Sequence, residues 1–67
     1  MILTISFDRE DDGRWIADVP DMPGVMAYGG SRDEALVKVQ ALALQVLAEK
    51  LANGEMAPER NIVFEAA

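Results

Sequence analysis

The side chains best equipped for chemistry in this chain are carboxylates. Ahead of residue 31 stand Asp8, Glu10, Asp11, Asp12, Asp18 and Asp21. Asp8 and Asp18 can oppose each other across a first hairpin, and two carboxylates on one face can hold a hard divalent cation. No further ligand set accompanies the pair, so a solvated polar face with a charged hairpin tip is expected, with no metal and no other cofactor. Hydroxyls stand at Thr4, Ser6 and Ser31, but the chain has no histidine and no cysteine. A hydroxyl nucleophile therefore lacks its usual base, and thiolate metal sites and disulfides are excluded. Gly24, Gly29 and Gly30 are not followed by a lysine at phosphate-loop spacing and are expected to be turn glycines. The single tryptophan, Trp15, is expected in the core or an interface. No catalytic residue is assigned, and a non-enzyme is expected.

Charge narrows the partners. Twelve acidic residues against six basic ones give a formal net charge of −6. Phosphate backbones call for clustered lysine and arginine, so no direct DNA binding is expected. An acidic surface suits a basic protein partner, and it also simply keeps a small protein in solution. The 67 residues make one domain, 1–67. A chain of this size buries only about 60% of the surface exposed when unfolded, and with no staple it gains from oligomerising. Met1-Ile2-Leu3-Thr4-Ile5 carries no basic leader, and the longest apolar run is broken by Gln45, so no membrane span and a cytoplasmic location are expected.

The elements that must position these groups follow from local patterns. Over residues 2–8, Leu3, Ile5 and Phe7 alternate with polar residues, which predicts a half-buried strand. Asp11-Asp12-Gly13 predicts a turn and residues 14–19 the return strand, with Trp15, Ala17 and Val19 on one side. Pro20 and Pro23-Gly24 end that strand and re-aim the chain. Residues 25–28 predict a third short strand, closed by Gly29-Gly30. Ser31 is a good N-cap, and Glu34 three residues on completes a capping box. The helix is expected to run to about Asn53, where Asn53-Gly54 stops it. Residues 61–65 predict a last strand. The order β-β-β-α-β predicts an α+β domain of two layers, a four-stranded mixed sheet with one helix on one face. The first three strands pair as a meander and the last joins beside the first.

The helix carries more apolar surface than one sheet needs. Leu36, Val39, Leu42, Ala43, Val46 and Leu47 form one arc that suffices to cover the sheet. Val37, Ala41, Leu44, Ala48 and Leu51 form a second, on another side. This second arc is the expected interface with another copy or a partner. The alternative is that alanines and an isolated leucine are tolerated in water.

The succession from Asp8 through Asp11-Asp12-Gly13-Arg14-Trp15 to Val19-Pro20-Asp21-Met22-Pro23-Gly24, then Gly29, then Ser31-Arg32-Asp33-Glu34-Ala35-Leu36, resembles the HicB-like antitoxin family. The pattern is an acidic turn with glycine, an aromatic-led strand, a P-x-x-P-G loop, a glycine, then S-x-x-E-A. It covers nearly the whole chain; Gly30 departs from the polar residue more frequent there. The resemblance implies a partial ribonuclease-H-like fold without the nuclease's active site. It also implies an antitoxin that binds and neutralises a small basic HicA-like toxin, a messenger-RNA interferase. Many members add a DNA-binding module after the last strand, and none is expected here. Two other functions stand beside this one: an orphan regulatory or structural oligomer with no cognate toxin, and a relic of a metal-dependent nuclease.

Overall fold

Alternation of apolar and polar residues builds the first strand, β1 (Ile2–Arg9). The computed structural model describes all of residues 1–67. β1 turns back through Glu10–Arg14 into β2 (Trp15–Asp18). Gly13 takes φ +90° there, a conformation that glycine adopts without steric cost. Asp12 secures the turn: one carboxylate oxygen accepts from the Arg14 backbone N–H at 3.1 Å, the other from Arg14 Nε at 2.7 Å.

The proline loop is a pair of consecutive β-turns. Met22 N–H donates to the Val19 carbonyl at 2.9 Å, and Val25 N–H donates to the Met22 carbonyl at 3.0 Å. Pro20 and Pro23 each take the second position of their turn, where their fixed φ is favourable. Gly24, in the third position of the second turn, has φ +86°. The loop delivers the chain into β3 (Met26–Gly29).

Ser31 caps the helix α1 (Arg32–Ala52), its Oγ accepting from Glu34 N–H at 3.1 Å. The return arm of the expected capping box differs. The Glu34 carboxylate turns to Lys38 Nζ at 3.0 Å and to the Gly30 backbone, one residue ahead of the cap. Asn53 is the C-cap, and Gly54 at φ +71° allows a Schellman closure, with Gly54 N–H on Leu51 O and Glu55 N–H on Lys50 O. The last strand is β4 (Val63–Ala66).

The sheet order is β3-β2-β1-β4, with β4 parallel to β1 and the other pairs antiparallel. β3 and β4 therefore run in the same direction at opposite edges, which requires the helical crossover. The α+β expectation of one helix on a four-stranded mixed sheet holds. The core lies between α1 and one sheet face: Leu3, Ile5, Ala17, Val19, Met22 and Val25 meet Ala35, Val39, Ala43 and Leu47.

Gly29 is not a turn glycine. It sits at the end of β3 with negative φ, buried under the first turn of the helix. A β-carbon here would collide with Ala35 N and come within 2.9 Å of the Glu34 carbonyl carbon. The glycine is required by space, not by backbone conformation. Gly30 beside it has only Glu34 Oε2 at 3.9 Å from such an atom.

Candidate functional site

The register of the first hairpin decides what the carboxylates can do. Asp8 pairs with Ile16, and Asp18 pairs with Ser6. The two acids share the sheet face away from the helix, but they are diagonal neighbours rather than opposite partners, because the turn sets pairing two residues away from the one expected. Glu10, Asp11 and Asp12 crown the hairpin tip, and Asp21 lies in the proline loop. No three acids gather closely enough to hold a metal ion. Asp12 is held below the usual aspartate range, first by the Arg14 backbone N–H and then by its guanidinium. The Lys38 ammonium, followed by the Gly30 backbone, holds Glu34 below the usual glutamate range. Both acids stand in water, and both shifts come from structural contacts at a turn and a cap.

Ser31 is spent on capping the helix, as its position predicts. Thr4 and Ser6 sit on the outer sheet face with no imidazole or thiol to activate them.

The residues singled out on the second helical arc come together. Val37, Leu44 and Leu51 are 68%, 43% and 39% exposed, and Ala41 and Ala48 are also exposed. They form one strip along the side of α1 that the sheet does not cover. The first arc packs inward, with Val39, Ala43 and Leu47 buried and Leu36, Leu42 and Val46 partly buried against them. Ala35 completes that buried stripe, a position the sequence pattern did not single out.

A second apolar display lies on the outer sheet face. Ile2 pairs with Val63, and Ile16 is flanked by Asp8 and Tyr28. Ile2, Val63, Met26 and Tyr28 are all exposed. The Arg14 guanidinium lies 4.7 Å from the centre of the Tyr28 ring, so this face mixes aromatic, aliphatic and charged groups.

Two features have no clear signal in the sequence. Arg32, in the first helical turn, stacks over Phe7 at 4.0 Å and donates to the Ala67 carbonyl at 3.4 Å, tying the helix start to β1 and the chain end. At the other end of the helix lies a cavity of about 390 Å³. Met22, Leu47 and Met56 join Met1, Ile2 and Leu3 in its wall, with Asp21, Lys50 and Glu55 also lining it. Its size falls in the range of small-ligand sites, roughly 300–1,000 Å³. No helix is long and apolar enough to cross a membrane.

The molecule thus presents displayed surfaces: an acidic hairpin, an apolar helical strip and a mixed sheet face. Compared with protein-family models, curated proteins and solved structures, the chain has no match.

Proposed function

We propose that this chain is a non-catalytic, HicB-like antitoxin that binds a small basic ribonuclease toxin and masks its working surface. The observation that carries this reading is the placement of its acids. They are spread over a strand face, a hairpin tip and a loop, all reachable from solvent, in a chain of net charge −6. Such a display steers a cationic protein and gives no focused site for bond breaking. The sequence resemblance points the same way. The cytoplasm, where a messenger-RNA interferase acts, is the matching location.

The test is co-expression with a small basic toxin encoded beside it, followed by pull-down and growth measurement. The antitoxin is expected to co-purify with that toxin and relieve its arrest. A toxin that neither binds nor is relieved would overturn the reading. Association is expected to slow as salt rises, because rim charges act mainly on the encounter rate. Incubated alone with RNA and Mg²⁺ or Mn²⁺, the protein is expected to leave the RNA intact. Cleavage lost in Asp8→Asn or Asp18→Asn would instead favour a nuclease.

The exposed helical strip favours a second reading, a self-associating regulatory or structural protein without a toxin. The two share the homo-oligomer and differ in the basic partner.

A further inference from the structure

The exposed strip on α1 has a spacing that its composition alone does not reveal. Val37, Ala41, Leu44, Ala48 and Leu51 are separated by four, three, four and three residues. That alternation averages 3.5 residues, the repeat of a coiled-coil seam, in which one helix presents its side chains to another. Alanine and leucine alternate from residue 41 to residue 51. The seam is bare of sheet and loop along two heptads.

We infer that this seam pairs with the same seam of a second copy of the chain, the two helices running antiparallel. Charge selects a second copy over a basic partner. The strip from Val37 to Leu51 contains no ionised residue in a chain of net charge −6, and it is flanked by the neutral Gln40 and Gln45 and by Lys38, whose charge is paired with Glu34. Of the twelve carboxylates only Asp33, Glu34 and Glu49 lie on α1, none of them between Val37 and Leu51 on the strip, and the rest lie on the strands, the hairpin tip and the loops. Two copies can therefore meet here without bringing their acidic surfaces together.

Direction follows from size and charge. In a parallel pair, alanine faces alanine and leucine faces leucine, leaving small residues unfilled beside crowded ones. In an antiparallel pair centred near residue 46, Leu44 faces the partner's Ala48 and Leu51 faces the partner's Ala41, so each large side chain meets a small one. Asp33 lies one helical turn before Val37, in line with the seam. A parallel pair sets it against its own copy and places both positive helix ends side by side; the antiparallel pair separates them.

This inference rests on the self-association shared by both functional readings, and it is independent of the toxin. Light scattering on the full chain is expected to give at least twice the chain mass, and Leu44→Glu, folded by circular dichroism, is expected to be monomeric. The absence of cysteine allows direction to be read with single thiols. Gln45 and Lys38 flank the same side of the seam, seven residues apart. In the antiparallel pair two copies of residue 45 lie nearly level, whereas two copies of residue 38 are separated by about 24 Å along the axis, at 1.5 Å per residue. A short bis-maleimide is expected to link Gln45→Cys into a covalent dimer and to leave Lys38→Cys unlinked. Linking of both variants would overturn the antiparallel direction. An oligomeric parent in which neither variant links, or that Leu44→Glu leaves intact, would overturn the seam while self-association stands. A monomeric parent would overturn self-association itself.

Discussion

The two faces of the helix are made of similar residues and meet different fates. The inner stripe is Ala35, Val39, Ala43 and Leu47, spaced by four, and all four are buried. The outer strip is Val37, Ala41, Leu44, Ala48 and Leu51, spaced alternately by four and three, and all five are exposed. Rows spaced by four run obliquely across a helix, whereas a 3.5-residue repeat runs almost along it. The inner stripe lies on the sheet, and its first residue, Ala35, stands where the helix backbone presses on β3 at Gly29. The outer strip offers a straight line of contact to another straight helix. Similar hydrophobicity thus takes two geometries, one laid on the sheet and one left exposed.

The contrast is tested first where helix and sheet are closest. Gly29→Ala puts a methyl group onto the backbone of Ala35, which cannot rotate away. Overpacking typically costs about 1–3 kcal/mol, and this site is expected at the upper end, whereas Gly30→Ala next door is expected to be nearly neutral. Urea midpoints of the two variants are the comparison. Equal midpoints would mean that the helix does not press on β3 as described.

Truncation then separates the faces. Leu47→Ala empties a buried position and is expected to cost about 2–4 kcal/mol. Leu51→Ala, only one turn further on, is expected to cost under about 1 kcal/mol in dilute protein. Its cost is expected to grow with protein concentration if the outer strip is covered by a second copy. Chemical denaturation at two concentrations reads both effects. A Leu51→Ala cost as large as that of Leu47→Ala at low concentration would erase the distinction.

Ser31→Ala removes the acceptor for Glu34 N–H and is expected to cost about 1 kcal/mol without altering oligomeric mass. An unchanged melting midpoint would show that the cap bond adds nothing to the helix start.

Acid is expected to have the smallest effect. Contacts with Lys38 hold Glu34 below its ordinary range, and contacts with Arg14 do the same for Asp12. A lowered carboxylate pKa stabilises the fold above the ordinary range, and this contribution fades as pH falls through the folded value. The loss is therefore expected below roughly pH 4, where carboxylates titrate. It is expected to be slight, since both groups are exposed and water screens them. The check is a pair of pH melts: Glu34→Gln is expected to flatten part of the acid limb, and an identical limb would remove Glu34 from the account.

Local physics made much of this legible from residue types alone. Ser31 and Glu34 mark a helix start because a hydroxyl three residues ahead of an N–H is placed to accept from it. Pro20, Pro23 and Gly24 mark turns because ring closure and a missing Cβ limit or free φ wherever they occur. Period-2 and period-3.6 patterns placed β1 and both arcs of α1, and with them the strip that forms the candidate interface. Other features depend on groups distant in sequence. Whether Asp8 meets Asp18 or Ile16 is a matter of register, decided by the turn and by which face is buried. Gly29 resembles any loop glycine until the first turn of α1 is laid on it, and Ala35 resembles any helical alanine until β3 lies beneath. The cavity walled by Met22, Leu47 and Met56 exists only because the proline loop, the helix end and the segment after it converge. By itself the sequence determined the elements, their order, the acidic charge and the surplus apolar strip, since each arises from residues near one another in the chain. Only the tertiary structure decided register, close approach and exposure, because those depend on what packs across from a residue.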